Sequence, residues 1–249
     1  MRRVDLNCDL GEGGAHDAAL MPLITSANIA CGGHAGDETT MRATIALALK
    51  HGVAIGAHPG FADRENFGRR ELDVTPPQVA ELVLKQVRRF QEIAAGCGAQ
   101  MHHVKLHGAL YNMVSRDRQL AEAVVQALRV AADNPILYAL AGSELERVAH
   151  ARPDFIVKSE VFSDRTYQPD GSLTPRSRAN ALIHDEAVAV AQVLQMVREG
   201  QVTAKDGSRV PIRADTICLH GDGAHPVAFA QRLRRELAAV GVEISCVGG

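Results

Sequence analysis

The chain of 249 residues has no tryptophan, three tyrosines and six phenylalanines. Aromatic packing therefore cannot fill a large core, and valine, leucine, isoleucine and alanine must do so. No stretch approaches eighteen uninterrupted apolar residues, so no membrane-spanning helix is expected. Its five cysteines are odd in number and far apart, which argues against a disulfide framework. Asp5 and Asp9 interrupt the N-terminus before an apolar signal region could form, so the expected compartment is the cytoplasm. A formal net charge of −2 gives no reason to expect nucleic acid or an acidic membrane as partner. There is no Gly-x-x-x-x-Gly-Lys-Ser/Thr loop and no His-Glu-x-x-His, and Gly11-Glu-Gly-Gly14 is too short and acidic to cradle phosphates. Internal repeats, low-complexity tracts and interdomain linkers are also missing.

What the chain does have is alternation. Short apolar runs at residues 4–8, 26–31, 53–57, 102–106, 136–140, 155–160, 216–219 and 242–246 predict strands. Helix-like segments at 38–51, 76–95, 117–132, 144–151, 185–199 and 226–240 lie between them. Thr75 followed by two prolines predicts a capped helix start, and Gly52, Gly98 and Gly241 predict helix ends. Strand–helix alternation with short connections means a parallel sheet. The length suits one closed β/α barrel of seven to eight strands, spanning residues 1–249 as a single domain. Two stretches break the rhythm. Residues 161–184 are long, polar and rich in turn formers, as an active-site loop would be. Residues 202–212 predict a small hairpin on an Asp-Gly turn.

Nearly every predicted strand ends in ionisable residues beside glycine: Asn7-Cys-Asp9-Leu-Gly-Glu12, Cys31-Gly-Gly-His34, Gly56-Ala-His58-Pro59, Lys105-Leu-His107-Gly108, Glu160-Val-Phe-Ser-Asp164-Arg165 and His220-Gly-Asp222. A closed parallel barrel collects such ends on one rim, where its active sites lie. Side chains alternate across a strand, so Lys105 and His107 should point inward, as should Asn7 with Asp9, Ala54 and Gly56 with His58, and Cys218 with His220 and Asp222. A lysine inside a barrel needs an anion beside it, and Asp9, Glu12, Glu160 or an anionic substrate could serve. His34, His58, His107 and His220 are candidate acids and bases, each of which could equally be a satisfied core histidine. Clustered histidines and carboxylates could hold a metal ion, but their spacing matches no specific ligand motif. Cys31 reads as a small buried residue more than a nucleophile. Loop arginines such as Arg165 and Arg176 could grip an anion.

Taken together, the ordered motifs from Asp5-Leu-Asn7 through Ser26-Ala-Asn28, Gly56-Ala-His58-Pro59, His103-Val-Lys105-Leu-His107 and Glu160-Val-Phe-Ser-Asp164-Arg165 to Leu219-His220-Gly-Asp222-Gly resemble the LamB/YcsF family. The likeness runs from residue 4 to about residue 240. It departs from the family pattern at Gly33, where an aromatic is frequent, and at Leu106, where proline is. The resemblance implies a barrel akin to the glycoside hydrolase/deacetylase superfamily. It further implies the 5-oxoprolinase reaction, cleavage of 5-oxo-L-proline to L-glutamate with ATP as co-substrate and magnesium accompanying it, alongside two further subunits, B and C. On that scheme Lys105 and His107 stabilise charge at the activated amide, Asp9 or Glu12 activates water, and His58 and Asp222 complete the catalytic set. Asn7, His34, Glu160, Arg165 and His220 then bind substrate. The rival readings are a stand-alone metal-dependent amidohydrolase or deacetylase and a noncatalytic substrate-binding subunit.

Overall fold

The computed structural model describes residues 2–221 and 225–247. In chain order the elements are β1 (Arg2–Leu10), α1 (Asp17–Leu20), β2 (Ser26–Ala30), α2 (Glu38–His51), β3 (Ala54–His58), α3 (Pro76–Gly96), β4 (His103–Lys105), α4 (Gly108–Arg116), α5 (Arg118–Ala131) and β5 (Ile136–Leu140). They continue with α6 (Glu144–His150), β6 (Ile156–Phe162), α7 (Glu186–Glu199), β7 (Gln201–Thr203), β8 (Arg209–Pro211), β9 (Thr216–Leu219), α8 (Pro226–Ala239) and β10 (Val242–Ile244).

Seven parallel strands run in the order β1-β2-β3-β4-β5-β6-β9, and β9 returns to β1 to close the barrel. The nine-residue β1 makes this possible by serving two neighbours on the same side. Its Asp5–Cys8 stretch aligns with Thr216–Leu219 of β9, while Arg2–Val4 aligns with Val242–Ile244 of β10. The eighth predicted strand is therefore real but lies beneath the ring. β7 and β8 pair antiparallel as a peripheral hairpin. Helix starts follow their caps: Asp37 accepts from the Thr40 N–H at 2.8 Å, Asp117 from Gln119 at 2.8 Å, and Asp185 from Ala187 at 2.7 Å. No helix among the described residues is long and apolar enough to cross a membrane.

Strand alternation decides what fills the barrel. Val4, Leu6, Cys8 and Leu10 of β1 pack into the apolar layer, and Asp5, Asn7 and Asp9 make polar contacts across the barrel interior. That interior is polar where many barrels stack branched apolar side chains. At its base the Asp5 carboxylate accepts from Thr25 (2.6 Å), Ser26 (2.7 Å) and Thr216 (2.5 Å). Burial nonetheless pushes the Asp5 carboxyl above its ordinary range, against those donors. One layer up, His103 Nε2 donates to Asn28 Oδ1 at 2.7 Å and its ring stacks on Tyr138 with centroids 4.1 Å apart.

That imidazole fits only because Gly56 carries no side chain; a Cβ there would overlap the His103 ring. Gly56→Ala is accordingly expected to destabilise the barrel by about 1–3 kcal/mol, the usual cost of overpacking. Urea denaturation checks this, and an unchanged midpoint would contradict the packing described.

Candidate active site

Above these layers Lys105 is the hub. Its ammonium contacts Glu160 Oε1 at 2.8 Å, Asp9 Oδ1 at 2.9 Å, Asn7 Oδ1 at 3.1 Å and Cys218 Sγ at 3.1 Å. Burial opposes its charge, but the adjacent Asp9 and Glu160 outweigh burial and hold Lys105 well above the usual lysine range. The surroundings of Asp9 act likewise: burial would raise it, yet His58 and Lys105 bring it well below the usual carboxylate range. Asn28 Nδ2 donates to Asp9 Oδ1 at 2.8 Å, and Asn7 Nδ2 donates to Glu160 Oε1 at 3.1 Å. Tyr111, on α4, donates to the other Glu160 oxygen at 2.7 Å.

On the β3–β4 side lie three histidines and Glu12. His58 Nδ1 donates to the Lys105 carbonyl at 2.8 Å, and His107 Nε2 donates to the Phe67 carbonyl at 2.9 Å. The remaining nitrogens, His58 Nε2 and His107 Nδ1, face each other at 2.9 Å. Glu12 Oε1 lies 2.9 Å from His34 Nε2 and 3.3 Å from His107 Nδ1. Phe67 holds a left-handed backbone (φ 53°), rare for a bulky residue, and turns its carbonyl onto His107. His34 and His107 stack face to face, and a Cβ on Gly60 would come within 2.7 Å of His34 Nδ1.

Across the rim, His220 Nδ1 donates to Asp164 at 2.7 Å, and its Nε2 accepts from Arg176 at 2.9 Å. Arg165 is buried close by. Its guanidinium donates to the carbonyl oxygens of Thr174 (2.6 Å) and Ala181 (3.4 Å), and among the described residues no carboxylate accepts a hydrogen bond from it. Burial, with Arg176 adding to it, lowers Arg165 to about 10.

A cavity of about 530 Å³ opens between these walls, lined by Asp9, Glu12, His58, Lys105, His107, Arg165 and His220. Asn7 and Glu160 sit beneath it as partners of Lys105, and His34 sits behind Glu12. Asp222 lies outside the described residues. Arg176, expected only as an arginine that could grip an anion, reaches the cavity through its contact with His220. Tyr111, Asp164 and Phe67 also belong to the site, though sequence reasoning gave none of them a role there. Only its place in a strand-end motif pointed to Asp164.

Glu12, His34, His58 and His107 offer ligand atoms all within 4.8 Å of one another, the donor set of a divalent-metal site. Ring orientation opposes that use. The His34 and His107 rings are parallel to within 1° at 3.6 Å, so their in-plane lone pairs cannot converge on one ion. The second set, Asp9, Cys218 and His220, already has the Lys105 ammonium 2.9 Å from Asp9 and 3.1 Å from Cys218. The four residues of the first set therefore cannot all close on one ion as arranged, and the second set is already bridged by an ammonium.

Among the cysteines, Cys31 is buried, and its thiol is pushed up to about 12 by that burial. It is not among the residues that line the cavity. Brief iodoacetamide treatment of the native protein is expected to label Cys97 and Cys246, which are half-buried, before Cys8, Cys31 and Cys218. Peptide mass spectrometry reads the order, and early labelling of Cys31 would contradict it.

Residues 4–248 match the profile of the LamB/YcsF family. The chain belongs to that family. A relative from Brevibacillus brevis, named as a 5-oxoprolinase subunit, is 51% identical over 250 residues, covering 98% of each chain. The crystal structure of a lactam utilization protein from Thermus thermophilus superposes with a TM-score of 0.89 at 40% identity, covering 98% of this chain and 99% of that one. A more distant structure, a T48 deacetylase with substrate, gives a TM-score of 0.53 at 14% identity over 98% of this chain and 87% of its own. That likeness establishes the shared barrel and nothing more.

Proposed function

We propose that this LamB/YcsF-family chain opens the ring of 5-oxo-L-proline to give L-glutamate, as one component of an ATP-dependent assembly with subunits B and C. The name carried by its full-length relatives supplies the substrate. The geometric observation that carries the reading is a buried Arg165 guanidinium to which no carboxylate among the described residues is bonded, across one cavity from a group of carboxylates and histidines. A small anionic lactam needs both: a cation for its carboxylate and proton transfer for its amide.

An unstrained amide is a poor electrophile, and phosphorylation of its oxygen by ATP activates the ring carbon towards water. ATP, with magnesium, is a co-substrate of the assembly, and the absence of a phosphate-binding loop in this chain favours a partner as its carrier. Arg165 holds the substrate carboxylate, presented by residues 163–184, the expected loop less Val161 and Phe162, which complete β6. Asp9 and Glu12 are the carboxylates that face the cavity and exchange protons with water. Lys105 already contacts four protein acceptors, which favours a positioning role: it keeps Asp9 charged and holds Asp9 and Glu160 in place. We place the assembly in the cytoplasm.

Calorimetric titration of the purified chain tests the binding half of this reading. Saturable binding of 5-oxo-L-proline, with much weaker binding of pyrrolidin-2-one, which lacks the carboxylate, is expected. Equal binding of both, or none of either with subunits B and C present, would contradict it. Amide cleavage by the chain alone, abolished by a chelator, would instead favour a metal-dependent amidohydrolase.

A further inference from the structure

The contacts of His58 and His107 fix their proton count. A carbonyl oxygen can only accept, so the bonds to the Lys105 and Phe67 carbonyls place N–H on His58 Nδ1 and on His107 Nε2. In neutral rings the other two nitrogens would then both present lone pairs. Yet His58 Nε2 and His107 Nδ1 stand 2.9 Å apart with ring planes at 89°, a hydrogen-bond arrangement that requires one proton between them.

We propose that His58 and His107 hold one proton in common and deliver it, through the Glu12 carboxylate, to the ring nitrogen of the lactam. This rests on the lactam reading above. Glu12 Oε1 lies 3.3 Å from His107 Nδ1 and 3.8 Å from His58 Nε2 and is more open to the cavity than either ring, with 16% side-chain exposure against 5% and 1%. The charged and titratable groups around the pair are Asp9 of β1, Glu12 after it, His34 after β2 and Lys105 of β4. Burial disfavours a cationic His58, but Asp9 and Glu12 outweigh it and keep His58 above the usual imidazole range. Burial, then His58 and His34, push His107 well below that range, so the pair holds a single added proton and releases it as pH rises through a raised midpoint.

The chemistry gives that proton a decisive step. Water adds to the carbon of the phosphorylated ring and passes one proton to Asp9. The tetrahedral carbon then bears a hydroxyl, the phosphoryl oxygen and the ring nitrogen. If its C–O bond to phosphate breaks, the lactam re-forms and ATP has been hydrolysed without ring opening. If the C–N bond breaks, the electron pair moves to nitrogen, which must take a proton to leave as an amine. The hydroxyl proton returns through Glu12 to the histidine pair as the carbonyl forms, and a second water hydrolyses the resulting acyl phosphate. Protonation of nitrogen thus selects ring opening over futile phosphate release.

Two measurements test this. In the chain with ¹⁵N-labelled histidine, nitrogen shifts should show His58 and His107 losing one proton between them in a single step as pH rises. Independent titration of the two rings, or a stoichiometric metal ion bound by them in the purified chain, overturns the proposal whatever the substrate. In the reconstituted assembly, His107→Asn should lower glutamate formation about 10²-fold or more, as removal of a general acid does, while phosphate released per glutamate rises. Glu12→Gln, at a more open position, should raise the same ratio and serves if His107→Asn fails to fold. Glutamate and phosphate falling together in both variants would overturn the role. A wild-type assembly that forms no glutamate would instead count against the lactam reading, leaving the titration to judge the shared proton.

Discussion

Lys105→Met is expected to destabilise the barrel by about 3–5 kcal/mol, the usual cost of stripping one partner from a buried ion pair, and to abolish measurable glutamate formation. The side chains of Lys105 and Glu160 are 2% and 0% exposed, and Asp9 shares the same ammonium. Removing the cation leaves two carboxylates facing each other in a medium that screens charge poorly. A domain of ordinary stability, about 5–15 kcal/mol, loses a large part of it by this one change. Adding Glu160→Gln to the variant should restore part of the lost stability, because one stranded charge is gone, but no activity, because Asp9 still lacks the ammonium that faces it. Urea denaturation of the wild-type, single and double variants reads the first effect, and glutamate assay of the assemblies reads the second. A Lys105→Met protein as stable as wild type would mean that the ammonium does not hold the two carboxylates together.

Arg165→Ala is expected to raise the KM for 5-oxo-L-proline about 10²-fold or more, with a smaller effect on kcat. Truncating one side of a buried charge pair costs about 2–5 kcal/mol, and each 1.4 kcal/mol is a factor of ten. The guanidinium reaches the cavity while donating to the Thr174 and Ala181 carbonyls, so the loop that carries it is also fixed by it. Arg165→Lys should recover only a fraction of the loss, because an ammonium cannot make the forked contact of a guanidinium with a carboxylate. Comparing wild type and variant with a substrate analogue that lacks the carboxylate isolates the contact: the loss with that analogue, which reports the loop alone, should be much smaller than the loss with 5-oxo-L-proline. An unchanged KM for 5-oxo-L-proline would remove Arg165 from the binding site.

Much of this site was legible from strand alternation. Asn7 with Asp9, and Lys105 above His103, fall on one face by parity alone, and closure of a parallel sheet then brings their ends together. Parity does not give register between distant strands. That Lys105 bonds Asp9 and Glu160 while Glu12 goes to His34 depends on how β1, β4, β6 and β9 align, which no local pattern encodes. The Asp164–His220 contact joins residues 56 apart for the same reason. Phe67 escaped notice because its contribution is a carbonyl turned by backbone conformation, which residue type does not reveal. α4 was missed because it opens on glycine directly after a strand motif, and with it went the Tyr111 contact to Glu160. Helices with strong caps were read closely: Glu38–His51 matches the expected bounds, whereas Asp117 and Asp185 prove to be the caps themselves.

The most direct test is glutamate release from 5-oxo-L-proline by this chain, alone and with subunits B and C, with and without ATP. Release only when partners and ATP are both present, and its loss on Lys105→Met, is the predicted result. Release by the chain alone without ATP, or full activity of the assembly with the Lys105→Met chain, would contradict the account.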